Sequence, residues 1–514
     1  MPHGPVEPLH QDMPGRPPEA GGGRPRRAGR PAGPNAGLRY GTAAGRWVLV
    51  TTALGSGIAF LDGSVVNVAL PAIGDDLDTS VAGLQWTLNA YLVTLAALLL
   101  LGGSLGDRYG RRAVFVAGLV GFTLASLLCG LAPSAGFLVA ARALQGVGGA
   151  LLVPGSLSII SATFHPDDRG RAVGAWSGLA GVASALGPFL GGWLIDTATW
   201  RLVFLVNVPL AALAVALALR HVPETRAPEP GRLDLAGAAL VTLGLAALSY
   251  AAIEHRGPGS IAAAAAGIGL VVAFLAVESR VAEPMLPLAI FRSRQFSGAN
   301  LTTFAVYAGL GGAMFLVVVR LQVSLGYGAL EAGAALMPFT ALLLLLSPAA
   351  GKVGDRLGPR LPMTVGPVVA GIGLFLLGGV APGDPYVPDV LVGVSVFGLG
   401  MAATVAPLTA AVLAGVDDAR AGVASGINNA VSRFAGLLAV AALPALAGIA
   451  TDGSLAEGLE SGYAGALYVC AGLCAAGGLV AWALVRAADG RGLPVVHPSP
   501  AMACHDPSTR RQAA

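Results

Sequence analysis

The stretch GSLGDRYGRR, residues 103–112, sets three arginines and one aspartate among glycines. An apolar run ends just before it at Leu101, and another begins just after it at Ala113. Two apolar runs joined by so short and so charged a turn cannot be strands of a soluble sheet. Each is about 20 residues long, which at 1.5 Å per residue spans the roughly 30 Å of a bilayer's hydrocarbon core. The turn therefore reads as a loop at a membrane surface between two spanning helices.

Composition agrees. Of 514 residues, 55% are hydrophobic and only 11% charged, where soluble domains carry roughly 25% charged residues. Mean hydropathy is +0.72. So little charge cannot clothe a water-soluble surface of this size, and the 74 glycines suit helices packed closely in lipid. Fourteen spans are expected, at about 47–67, 84–105, 113–132, 137–160, 171–194, 202–219, 234–253, 261–279, 298–319, 332–351, 361–380, 389–413, 422–446 and 463–485. With the N-terminus placed in the cytoplasm, only Arg201, Arg256 and Arg320 fall in outer loops and only Arg142 and Arg433 inside spans. Every other Arg, and the single Lys352, lies in a tail or an inner loop, as the positive-inside rule requires. The expectation is a multi-pass cell-membrane protein with both termini cytoplasmic. Arginine used in place of lysine points to a GC-rich, bacterial genome. Residues 1–45, rich in Pro, Gly and Arg, read as a disordered basic tail rather than a signal peptide, and 486–514 as a second tail.

The turn recurs. GKVGDRLGPR, residues 351–360, follows span 10 as GSLGDRYGRR follows span 2. The shared Gly-x-x-Gly-Asp-Arg-x-Gly is an internal repeat with an offset of eight spans. A charged hinge present once per half favours a machine of two halves that rock against each other. Asp107, Arg108, Arg111 and Arg112 in the first copy, and Asp355 and Arg356 in the second, are the candidate switch residues. They would hold the cytoplasmic side shut when the other side is open.

At these residues the chain resembles the major facilitator superfamily, and within it the 14-span drug:proton antiporter family. FLDGSVVNVALPAI (60–73) is similar to the family's span-1 motif and LVAARALQGVGGA (138–150) to its span-4 motif. GLAGVASALGPFLGGWL (178–194) resembles the span-5 antiporter motif, with Gly187, Pro188, Gly191 and Gly192 as gating residues. WRLVFLVNVPL (200–210) and GVASGINNAVSRFAG (422–436) resemble the start of span 6 and the span-13 pattern, although Phe434 stands where the family commonly has Gln. The resemblance implies an all-α membrane fold of 14 helices, in two six-helix halves with two extra helices between them. The halves would be residues 46–220 and 281–485, and the extra pair 221–280. It also implies proton coupling through Arg142.

The residues add physics of their own. Asp62 lies inside span 1, toward its outer end, where a carboxylate costs several kcal/mol unless paired, hydrated or protonated. It is thus a candidate proton site or cation site. Arg142 in span 4 cannot shed its proton, so its burial demands an acceptor or water, and Gln145 shares its face. Gly170, Gly174 and Gly178 form a spacing-four ladder for close helix packing, and Pro188 bends the helix. In span 13, Ser425, Asn428 or Asn429, Ser432 and Arg433 form a polar face that lipid would not tolerate.

Other functions fit poorly. No phosphate-binding glycine loop with a lysine occurs. No cysteine or histidine spacing fits a metal site, no catalytic cluster marks an enzyme, and no basic domain marks a nucleic-acid binder. The expectation is efflux of a lipophilic, drug-like or antibiotic small molecule by a monomer exchanging it for protons, with no cofactor besides the proton gradient. A cationic cargo is one version of this. The alternative is a facilitator or proton symporter importing a small metabolite.

Overall fold

The computed structural model describes Met1, Gly4 and residues 37–228, 232–255, 257, 259–417, 420–449 and 455–486, without the side chains of 421 and 455–461. The tails expected at 1–45 and 486–514 lie outside these residues except for 37–45 and Arg486. Among the described residues there is no β-strand, and fourteen helices are long and apolar enough to cross a membrane. In the first half these are α1 (Ala43–Leu77), α2 (Val81–Tyr109), α3 (Arg111–Gly130), α4 (Ala135–Thr163) and α5 (Pro166–Thr197), then one span built from α6 (Leu202–Leu205) and α7 (Asn207–His221). α8 (Leu235–Ile253) and α9 (Ser260–Glu278) follow. The second half holds α10 (Arg294–Val323), a span built from α11 (Ala329–Ala335) and α12 (Met337–Leu357), then α13 (Arg360–Gly378), α14 (Leu391–Leu413), α15 (Ala421–Leu446) and α16 (Leu455–Leu484).

The two broken spans break for one reason. Pro209 and Pro338 lack the N–H that the preceding turn needs and disfavour helical backbone just before them; the interruptions fall at Val206 and Leu336. α1 corrects an expected boundary. It runs on through Pro71 to Leu77, where Asp78 turns left-handed at φ 45° and its N–H closes on the Gly74 carbonyl. Hydropathy marks only the part of a helix that lipid touches, while the helix persists as long as its backbone bonds do. Asp62 therefore sits near the middle of α1, not near its outer end.

α1–α7 pack together, and α10–α16 pack together, in the same relative order: α2 lies on α4 as α12 lies on α14, and α3 on α4 as α13 on α14. A carbon added at Gly103 would lie 3.6 Å from the Pro154 side chain, and one at Gly354 would lie 3.3 Å from that of Pro407. α8 and α9 form a hairpin whose α8 rests on α2 and α15, along the seam between the halves.

The two repeated turns are not equivalent. In the first, Gly110 takes φ 115°, a backbone setting that favours glycine. Asp107 accepts from Arg111 at 2.8–2.9 Å, and the segment after α7 straps the turn. Glu224 accepts from the N–H groups of Arg112 and Ala113 at 3.0 Å, capping α3. Arg112 donates to the Val222 carbonyl and Arg108 lies beside the Tyr109 ring. In the second turn Pro359 stands where Arg111 stands in the first. Asp355 and Arg356 are exposed and form no ion pair among the described residues, and Arg360 lies over the Trp482 ring. Neither turn bridges the two halves in this conformation.

What closes the molecule lies at the opposite end, termed here the far end. The Asp196 carboxylate, at the end of α5, accepts from the N–H groups of Ala329 and Leu330 at 3.1 and 2.8 Å and so caps α11 across the seam. Gln85 on α2 donates to the carbonyls of Val440 and Ala441 at 2.6 and 3.2 Å. Gln322 on α10 donates to the Val68 carbonyl at 3.0 Å. At Gly192 an added carbon would meet the Ala329 carbonyl oxygen and Leu330 Cα at 2.5 Å, so α5 and α11 touch backbone to backbone. Gly170, Gly174 and Gly178 correct the expectation of a packing ladder: no neighbouring atom lies within 4 Å of where their Cβ would be. In this conformation the turn-end half of α5 packs through Ala172, Trp176 and Ala180 while its glycine face stays open, and its far-end half is sealed against α11.

Because the Asp196 cap exists only when the far end is closed, Asp196→Ala should weaken closure by about 1 kcal/mol, the usual worth of a helix cap. A cysteine introduced at the cavity-lining Ser184 should then be labelled several-fold faster by an impermeant maleimide applied from the far side. An unchanged rate would show that the cap carries no weight in closure.

Candidate functional site

Five helices of the first half converge on one buried cluster. Asp62 (α1), Thr87 and Tyr91 (α2), Ser126 (α3), Arg142 and Gln145 (α4) and Asn207 (α7) are each at most 1% exposed. Arg142 Nη1 lies 2.5 Å from Asp62 Oδ2 and donates also to Gln145 Oε1. Gln145 Nε2 donates to Asp62 Oδ1 at 2.8 Å and to Ser126 Oγ at 2.8 Å. Asn207 Nδ2 reaches Asp62 Oδ1 at 3.0 Å. Arg142 Nε donates to the Thr87 carbonyl at 3.1 Å, and its guanidinium lies 4.3 Å from the centre of the Tyr91 ring. The carboxylate thus has a full-charge partner and two amide donors, and the guanidinium has three acceptors and a ring face. That is what a charge pair needs to survive in a low-dielectric interior.

Sequence reasoning singled out Asp62, Arg142 and Gln145, and the fold brings them together. It missed Asn207 and Ser126. Asn207 carried a signal, as the one amide in the apolar run 202–219; Ser126 carried none, because a serine in a membrane helix usually bonds its own backbone.

The pair borders a cavity of about 460 Å³ between the halves, within the ordinary range for small-molecule sites. Arg142 forms part of the wall, whereas Asp62 does not and lies behind it. From the second half come Asn429, Ser432 and Arg433 on α15, with Tyr307, Met314 and Phe339 among the apolar lining. The open choice between Asn428 and Asn429 is resolved. Asn428 donates to Asn300 and Thr303 on α10, at 3.2 and 2.7 Å, and Asn429 faces the cavity. Arg433 reaches across to lie 5.3 Å from the centre of the Phe60 ring. Pro188 lines the cavity, and Gly187, Gly191 and Gly192 pack against α1 and α11 just beyond it. Asp107, Arg108, Arg111, Arg112, Asp355 and Arg356 stand apart from it at the turn end. Trp86 and Trp176 do not line it: Trp176 is buried elsewhere and Trp86 lies beside Tyr250.

A buried ion pair beside a cavity between two similar helix bundles is the architecture of a membrane transporter, and comparison with known proteins says which kind. Residues 52–440 match the family model described as the Major Facilitator Superfamily, and the chain belongs to that superfamily. The puromycin resistance protein of Streptomyces alboniger is 34% identical over 88% of this chain and 94% of its own length. The multidrug resistance protein Stp of Mycobacterium tuberculosis is 36% identical and the tetracenomycin C resistance and export protein of Streptomyces glaucescens 35% identical, each over 64% of this chain. This chain spans 62% of the length of each of those two. These relatives are named for drug resistance and export, and the superfamily is one of multi-pass transporters, not enzymes. Among solved structures, a D-xylose–proton symporter superposes with a TM-score of 0.63 at 16% identity, over 87% of this chain and 99% of that one. A peptide transporter POT bound to sulfate gives 0.64 at 16% identity over 86% and 94%. These two likenesses concern the fold alone.

Proposed function

We propose that the protein exports lipophilic, drug-like or antibiotic molecules across the cell membrane by alternating access, driven by protons entering through the Asp62–Arg142 pair. The observation that carries this reading is the sealed carboxylate–guanidinium pair on the wall of a cavity that lies between the two halves. Arg142 belongs to both places: it holds Asp62 and it faces the cargo. A proton arriving on Asp62 removes the charge that Arg142 answers, so the five helices that meet there must rearrange. In alternating access, proton and cargo must bias the same two states in opposite directions. A group shared by proton site and cavity wall supplies that link. With the termini in the cytoplasm, the closed far end is the outer face, and this conformation is the one that loads cargo from inside. The two six-helix halves would be the rocking bodies, with the α8–α9 hairpin following the seam.

The test is dye efflux from intact cells, with and without a protonophore, for the parent and for Asp62→Asn. Efflux should stop with the protonophore and should fall to background in the variant. Efflux insensitive to the protonophore, or uptake in its place, would favour the facilitator or symporter reading and leave Asp62 a structural residue.

A further inference from the structure

We infer that the cargo carries an acidic group on a flat apolar frame, and that Arg433 is the residue that pairs with it. This rests on the reading of the cavity as the cargo site and narrows it. The cavity has two guanidiniums on its wall, Arg142 and Arg433, and no aspartate or glutamate. The Arg142 charge is already answered by Asp62. Arg433 has neither an ion pair nor a hydrogen-bond acceptor among the described residues, and lies over the face of Phe60. Asp62, the one carboxylate nearby, is fully buried behind Arg142 and is not offered to a cationic guest.

An arginine cannot lose its proton, so a half-buried guanidinium in a membrane interior calls for an acceptor. A carboxylate, phenolate or enolate arriving in the cavity provides one, with a planar fork that matches the guanidinium. Asn429, a turn away on the same helix, adds an amide donor for the same group, while the Ser432 hydroxyl donates to the Asn429 carbonyl. Phe60, Tyr91, Tyr307 and Phe339 provide ring faces for the apolar frame. A cation in the same place would meet Arg433 with no counter-charge to offset the repulsion.

Fluorescein and rhodamine 123 share one flat xanthene frame and differ in charge, the first anionic and the second cationic at neutral pH. Their binding to the purified full chain in lipid nanodiscs is read by fluorescence anisotropy. Fluorescein should bind about tenfold tighter than rhodamine 123, Arg433→Gln should erase that preference by weakening fluorescein alone, and Arg433→Lys should keep most of it. Tighter binding of rhodamine 123, or a loss in Arg433→Gln that is equal for both dyes, would overturn the assignment while leaving an export cavity in place. Binding of neither dye to the parent would overturn the cargo site itself, and the assignment with it.

Discussion

Arg142→Gln should abolish transport and cost about 3–5 kcal/mol of stability, the usual penalty for removing one partner of a buried ion pair. Asp62 would keep its amide donors, Gln145 at 2.8 Å and Asn207 at 3.0 Å, but lose the only full charge beside it. Amide dipoles do not replace a counter-ion for a carboxylate that is fully buried. The double variant Asp62→Asn with Arg142→Gln removes both charges and replaces them with amides of similar shape. Its thermal stability in detergent should return most of the way to the parent value, while its efflux stays at background. Stability measured by melting and transport measured by efflux should therefore separate in the double variant and fall together in the single one. A single variant as stable and as active as the parent would show that the pair neither holds the five helices together nor takes part in transport.

Gly192→Leu should keep the far end from closing. The Cα of Leu330 and the Ala329 carbonyl oxygen stand 2.5 Å from where even a methyl group would go, and both are backbone atoms that cannot step aside. Forcing a larger side chain into such a contact costs about 1–3 kcal/mol, which shifts the balance between closed and open far ends by roughly 5-fold to 150-fold. The Asp196 cap on α11 is pulled apart by the same displacement. A cysteine at Ser184, on the cavity wall, reports the state; the native Cys129, Cys470 and Cys474 are buried and stay silent, and Cys504, outside the described residues, is replaced by serine. An impermeant maleimide added on the far side should label it slowly in the parent and at least about 5-fold faster with Gly192→Leu, and efflux should stop. Equal labelling rates would mean that the α5–α11 contact is not the gate.

How far the sequence could be read differed from residue to residue. The fourteen spans were legible because lipid imposes a single coarse demand, an apolar run of the right length, and because arginine sorts to one side of the membrane. Asp62 and Arg142 stood out because a charge within such a run needs a reason. That they hold each other was not legible, since they lie on different helices far apart in the chain. Glu224, Asp196 and Asn207 were passed over because each is an ordinary polar residue until the chain that it caps or answers is brought beside it. The glycine ladder misled for the same reason. Gly170, Gly174 and Gly178 have the spacing of a packing face, but spacing does not say in which conformation a neighbour arrives.

The repeated turn shows where the division falls. From the apolar runs, the placement of arginine and the repeat of GSLGDRYGRR came a membrane protein with fourteen helices, two related halves and a charged joint in each, because hydropathy, charge sorting and repetition are properties of a linear string. The string also held, unread, a change that removes the Asp–Arg pair from the second joint: Pro359 where the first copy has Arg111. Only the tertiary structure decided what the joints hold. The first is tied by Glu224 to its own half, and in the second Arg360 stacks on Trp482 with no ion pair among the described residues. It alone placed the closure at the other end of the molecule, on Asp196, Gln85 and Gln322, and left Arg433 unanswered in the cavity. Those are pairings between residues up to 356 positions apart, and a pairing at that distance is set by how helices pack, which no local pattern encodes.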